Sequence, residues 1–482
     1  MPINGFLYPG ASGPATPYEV ANSCRFDSGS SDRLTRTFGT PTSSQKWTLS
    51  FWIKRCALGS TEFYFNTDGG NEEDRLQFDS GDTLTWFEQN TSGGTVAELT
   101  TSQVFRDVSA WYHIVVARDS TQSTASNRIK LYVNGSQVTA LGTSTYPSQN
   151  DSSRFNTAVS HEIGARNNGT FIDAYLAEIV FIDGQQLDQT SFGEFDSDSP
   201  NIWKPIDVSG LTFGNNGFHL DFEDSSALGN DVSGNDNDFS VSNLTAIDQT
   251  TDTCTNNFAT INSLSIHPSS TFTISEGNLQ FATSSSTRGY WISTFGVSSG
   301  KWYWEYKVTN NQARTDVGIA GAPAAGNNDP ESGVHDNVTV YLTINGQVNI
   351  NSNSSTDNFY NQATSSNNII IGTALDLDSS PNTIAFSIDG EWVTGSGTKS
   401  TTFSSATKIN SFTNVASTVN GVYHFIAGDD GGEQDIGGQA NFGNPPFSIS
   451  SGNSDGNGYG NFEYSVPSGY FSLCTKNLAE YG

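Results

Sequence analysis

Apolar and polar side chains alternate along TLSFWIKR at 48–55, so Leu49, Phe51 and Ile53 fall on one side of an extended chain and Ser50 and Lys54 on the other. WYHIVVARD at 111–119, IKLYVNG at 129–135 and LAEIVFIDG at 176–184 repeat the pattern, with Ile129, Leu131 and Val133 opposed by Lys130. This predicts a half-buried antiparallel sheet. The second half does the same in KWYWEYKV at 301–308, where Trp302, Trp304, Tyr306 and Val308 oppose Lys301, Tyr303, Glu305 and Lys307, and in VTVYLTI at 338–344 and NTIAFSIDG at 382–390. Asn134-Gly135, Asp183-Gly184, Asn345-Gly346 and Asp389-Gly390 end these runs as tight turns, because Asn, Asp and Gly tolerate the positive φ such turns need. The fold class predicted is all-β, two antiparallel β-sandwiches in series. No segment carries a long helical period, so helix is expected only as single turns.

A chain of 482 residues is too long for one hydrophobic core. Residues 1–22, with Pro2, Pro9, Pro14 and Pro17 among glycines, read as an extended N-terminal arm. The first sandwich spans 23–196, an irregular connector with short strands 197–265, and the second sandwich 266–448. A tail at 449–482 opens glycine-rich, expected to be flexible, and ends apolar, expected to dock.

Charge narrows the partners. Fifty acidic residues against 21 basic give a net charge of −29, which opposes phosphate and argues against nucleic acid. No run of 18 apolar residues is present, so no membrane insertion is expected, and the N-terminal stretch lacks the basic start and apolar centre of a secretion signal. A protein made and kept in a cytoplasm until release is the expectation. Cys24, Cys56, Cys254 and Cys474 lack metal-site spacing and are expected as free thiols.

Reactive chemistry is sparse. The six histidines are scattered, and no metalloprotease, P-loop or nucleophile-elbow motif occurs. His113 shares a strand face with Trp111 and Val115, which suits a structural role. Glu178 with Asp183, and Glu305 alone, lack the closely spaced acids of a glycan-cleaving strand. No catalytic residue is expected, and the chain reads as a non-enzyme. Oxygen-rich loops offer a better prospect, because Ca²⁺ takes carboxylates and carbonyls. Asp68, Glu72 and Asp74 in TDGGNEEDR, and Asp231 and Asp236 in EDSSALGNDVSGNDND, are the candidate ligands, the alternative being that they cap turns. No cofactor is required, and calcium is the one considered. Trp47, Phe51, Trp52, Trp302 and Trp304 belong in cores. Trp86, Tyr290 and Trp392 are candidates for stacking on the flat faces of sugars, with Trp86 and Phe87 necessarily facing opposite sides of their strand.

Residues of the first sandwich, RFDSGSSDRLTRT, WTLSFWIKR, WYHIVVARD, IKLYVNG and LAEIVFIDGQQLD in that order, resemble the laminin G-like, concanavalin A-like lectin group. GKWYWEYKV, DVGIAG, NTIAFSIDGEW and NFGNPPF resemble the SPRY fold. DQTSFGEFD, GNNGFHLDFED, DVSGNDNDFSV and AIDQTTDTCTNNFATINSL, with the ending PSGYFSLCTKNL, are similar to a class of tailed-bacteriophage virion proteins. The resemblance implies a virion surface protein of tail-fibre or adhesin type, assembled in the host cytoplasm and exposed on the particle, that binds a host-surface glycan or receptor through rim loops. Other virion proteins are implied partners, and a homo-oligomer is expected, a trimer favoured, with 1–22 and 461–482 as assembly contacts. A structural head-decoration or tail-adaptor protein is the alternative, favoured by the lack of any encoded shaft, and a glycan depolymerase is the third.

Overall fold

A computed structural model describes residues 17–67, 72–266, 272–283, 289–310, 315–321, 339–343, 348–350, 367–394, 398–410, 412, 418, 421–429 and 436–482. It is built from antiparallel sheets, and the α-helix Thr475–Tyr481 is the only one among the described residues. In the first sandwich one sheet is centred on the strands Trp111–Asp119, Lys46–Arg55 and Ala174–Asp183, in register through Leu49↔Val116 and Ile53↔Leu176. The facing sheet runs from Leu141–Thr145 through Thr95–Val104, Thr83–Gln89, Asp74–Phe78, Glu62–Thr67 and Ser160–Ile163 to Arg33–Thr37. Trp47, Leu49, Phe51 and Ile53 fill the space between them with Leu76, Trp86 and Leu99, as the alternation predicts.

The expected half-burial is corrected. Ser50 and Lys54 are buried on the opposite face, because residues 187–213 and the chain around Val20 lay a third layer over it. Phe192, Val208 and Phe213 cover Val115, Ala117 and Val180, while Trp203 and Val20 cover Trp52 and Trp111. A polar side chain on that face therefore needs a partner, and Lys54 Nζ finds Asp252 Oδ2 at 2.8 Å.

The stretch 197–265 is more than a connector. Phe218–Leu220 pairs with Ala174–Asp183, Ser240–Ser242 with Arg33–Thr37, and Gln249–Thr250 with Ser23–Phe26. Phe218, Phe222, Leu228 and Phe239 join the first core, so the sandwich continues past 196. Ile261–Ile266 already belongs to the second sandwich, paired with Gly289–Val297.

The second sandwich places Lys301–Asn310 between Ile370–Asp376 and Gly437–Asn441, facing a sheet that holds Gly289–Val297, Tyr423–Asp429 and Thr315–Ala320. Trp302, Trp304 and Tyr306 point into the core. Tyr303 and Glu305, on the other face, are also buried, here under the tail. Glu305 accepts hydrogen bonds from Glu463 N, Tyr464 N, Asn441 Nδ2 and Tyr303 Oη, at 2.8–3.1 Å. The tail expected to be loose is held at its glycine-rich opening too, where Asp455 accepts from Ser472 N and Asn477 Nδ2. Its end docks on its own sandwich through Phe462 and Leu473, and Lys476 reaches back to Glu19.

Asn134-Gly135 and Asp389-Gly390 are two-residue turns with both φ values positive. Asp183-Gly184 is not: only Gly184 has positive φ, and Asp183 ends a strand while its carboxylate accepts from Thr42 N and Asn216 N. Asn345-Gly346 lies outside the described residues. All four cysteines are free.

Candidate functional site

The two sandwiches meet along a seam fixed by buried polar groups. Lys54 donates to Asp252, Asn257 Oδ1 and Phe258 O, and Asp252 in turn accepts from Trp111 Nε1 and Asn444 Nδ2. Arg25, fully buried, donates to Ile247 O and Pro445 O and pairs with Asp248 and Glu276. Tyr175 Oη donates to Gly277 O at 2.8 Å.

Above this seam lies a cleft of about 320 Å³. One wall is the loop around 246–251, held by the pairing of Gln249 with Cys24. The other is 443–449, where the strand Gly437–Asn441 leaves its sheet. Gly443 makes that exit at φ 124°, and a Cβ there would lie 2.4 Å from the Phe258 ring, so only glycine places the following Asn444 against Asp252. Asn22, Gln249, Thr251, Asn444 and Asn461 supply amides and hydroxyls, while Ile247, Pro445 and Phe447 supply apolar surface. Lys307 Nζ sits 4.9 Å from the centre of the Phe447 ring. Amides beside a ring and a proline form a surface suited to a molecule with many hydroxyls and flat C–H faces.

The aromatic candidates lie elsewhere, and the structure corrects them. Trp86 is fully buried, packed on Trp47 and Phe155, with Nε1 donating to Glu88 Oε1 at 3.1 Å. Its neighbour Phe87 takes the outer face, beneath Arg75. Tyr290 is buried with Ile292, Ala320 and Ile426 on one sheet of the second sandwich. Trp392 is buried on the other sheet, against Phe403 and Tyr303 and under the tail. None of the three presents a ring face to a sugar, and the fold does not bring them together.

Of the acidic candidates, Glu72, Asp74 and Asp231 are engaged by protein donors. Asp68 lies outside the described residues. Glu72 pairs with Arg154 at 2.7 Å. Asp74 is buried and accepts from Ser153 Oγ and Phe155 N; burial first, then the nearby Glu88 charge, pushes its carboxyl up to about 8. Asp231 accepts from His219 N, Ser233 N and Asn237 N, the turn-capping role. Asp236 is exposed on a positive-φ turn. Among the described residues no three His, Cys, Asp or Glu side chains gather as metal ligands.

The acids weighed for hydrolysis are also structural. Glu178, in a bulge of its strand at φ 49°, accepts from Tyr18 Oη and pairs with His219 Nε2 at 3.0 Å. Glu305 is sealed, its carboxyl pushed up to about 7 by burial against the pull of its four donors. His113 is held between Trp203 Nε1 and Ser50 Oγ, each at 2.9 Å.

The cleft was not visible in the sequence. Asn444 and Asp252 are 192 positions apart, in segments read as a sandwich end and a connector. The one local sign was NFGNPPF, in which a glycine and two prolines force the chain out of its strand.

Residues 28–188 match the family described as the concanavalin A-like lectin/glucanases superfamily. The match covers most of the first sandwich and stops short of the loops that line the cleft. No curated protein matches the chain. Among solved structures, the SPRY domain of human HERC1 is similar at 15% identity over 37% of this chain and 96% of that one, with a TM-score of 0.27. Domains LG4-5 of the mouse laminin α1 chain are similar at 11% identity over 95% and 99%, with a TM-score of 0.28. The heptameric SAP-like pentraxin of Limulus polyphemus is similar at 14% identity over 35% and 79%, with a TM-score of 0.27.

Proposed function

We propose that this chain is a non-enzymatic, glycan-binding surface protein of a bacteriophage virion, with the cleft between its sandwiches as the binding site. The cleft carries the reading: it joins several amides to an aromatic ring and a proline, next to a sandwich of lectin-like fold. The sequence similarity of segments within 188–264 and of 467–478 to tailed-phage virion proteins supports the particle surface as its place. The buried acids give no support to hydrolysis, because Glu178, Asp183 and Glu305 each have their oxygens engaged by the fold.

Each cleft would hold its glycan weakly, and a homo-oligomer, a trimer favoured, would raise the avidity by about 10²–10⁴-fold through effective concentration. Purified protein should adsorb to host cells and compete with infection, and polysaccharide from the same cells should block the adsorption without releasing reducing ends. Binding only to capsid or tail subunits would contradict the reading in favour of a structural decoration or adaptor. That second reading has one observation behind it: Phe195 and Ile202, 47% and 58% exposed on one hairpin, form an apolar tip suited to packing on another virion protein.

A further inference from the structure

We infer that the bound glycan runs past the cleft into a second cavity beside it, so that the protein takes a chain of linked sugar residues and not a single terminal one, an inference that rests on the glycan-binding reading above.

The first observation is continuity. A cavity of about 230 Å³ is lined by residues that follow directly on those of the cleft, in three separate segments. Ala21 lines the second cavity and Asn22 the cleft; Thr253 the second and Thr250 the cleft; Gly460 the second and Asn461 the cleft. Thr251, which is exposed, borders both. The three steps from Asn22 back to Glu19 reach at most about 11 Å, so the two cavities lie end to end within the span of one short oligosaccharide. Their walls meet at a pair of glycines. A Cβ built on Gly443 would lie 3.0 Å from the Gly460 Cα, and Asn461 N donates to Gly443 O at 2.9 Å, so the cavities adjoin over bare backbone there.

The second observation is the chemistry along this groove. At the cleft end Ile247, 37% exposed, and the half-buried Pro445 give apolar surface. At the other end the half-buried Tyr459 gives a ring, with Lys476 Nζ 5.4 Å from its centre and paired with Glu19 of the opposite wall. Thr251 and Asn461 stand exposed at the junction, and their side chains have no hydrogen-bond partner among the described residues. Apolar surface at both ends with a free hydroxyl and amide between them fits two sugar rings whose hydroxyls near the linkage meet Thr251 and Asn461. A chain filling both cavities gains contacts at each and loses its translational freedom once, so affinity climbs with chain length until both are filled.

The test uses the full chain and polysaccharide purified from the host cells, cut into a size-fractionated ladder from the monosaccharide upward and titrated by calorimetry. Affinity should rise at least about tenfold once a fragment is long enough to enter the second cavity, and level off beyond that length. Ala21→Trp, an exposed change that borders the second cavity alone, should remove the rise and leave the shortest fragments bound as before. Lys476→Trp fills the same cavity from the opposite wall, should act alike, and serves if Ala21→Trp does not fold. Ala246→Trp, bordering the cleft alone, should weaken every fragment. Full affinity for a single residue, or a rise with length that both second-cavity variants leave intact, would overturn this inference and leave glycan binding at the cleft standing. If no fragment binds and the intact polysaccharide fails to block cell adsorption, the broader reading falls and takes this one with it.

Discussion

Trp203 can only donate through Nε1, so its contact with His113 makes Nδ1 the acceptor and leaves the proton on Nε2, directed at Ser50 Oγ. Protonating the ring would set two donors against each other in a buried site, and burial itself already pushes the imidazole down to about 3. The unfolded chain takes that proton near the ordinary value of 6.5 while the folded one refuses it, so stability is lost as pH falls below 6.5. Between pH 7 and 5, wild-type stability should therefore drop by about 2 kcal/mol relative to His113→Gln, measured by denaturant unfolding at each pH. A pH-independent difference would mean that the ring titrates normally. Trp86 shows what the sequence could and could not tell at this scale. Alternation required Trp86 and Phe87 to face opposite ways, but which one faced inward depended on packing against Trp47 and Phe155, far along the chain. Trp86→Ala should cost about 3–5 kcal/mol and leave the glycan affinity of the folded fraction unchanged, which titration of the purified variant checks.

At the scale of elements, period-two patterning located the strands well and misjudged their outer faces. The reason is physical: Ser50, Lys54, Tyr303 and Glu305 look like solvent-facing positions, yet covering segments bury all four, and Lys54 and Glu305 bond directly to the segments laid over them. Nothing in the pattern says that residues 187–213 or 449–474 will return to lie there. Removing such a partner should therefore be costly. Asp252→Ala leaves Lys54 buried without its counter-ion and should destabilise the protein by about 3–5 kcal/mol in urea. Glu305→Ala strands the donors of Glu463, Tyr464 and Asn441, and should destabilise by about 3 kcal/mol while opening 449–465 to limited proteolysis. Unchanged proteolysis would show that the tail is held by its aromatic contacts alone.

For the whole molecule, the two sandwiches share one seam built on Arg25, Lys54, Asp252 and Tyr175, all buried. Calorimetry should record a single unfolding transition, lowered as one by Asp252→Ala; two transitions, with only one moved, would mean that the sandwiches stand independently. The fold class was readable from strand patterning, whereas the cleft was not, because its walls come from segments that meet only when both sandwiches have formed. The central claim is that this junction holds the sugar. Hydrogen exchange of the full chain, with and without an oligosaccharide that binds, tests it most directly. Protection at 246–251 and 443–449 is the predicted result, and protection elsewhere with these two loops unchanged would contradict it.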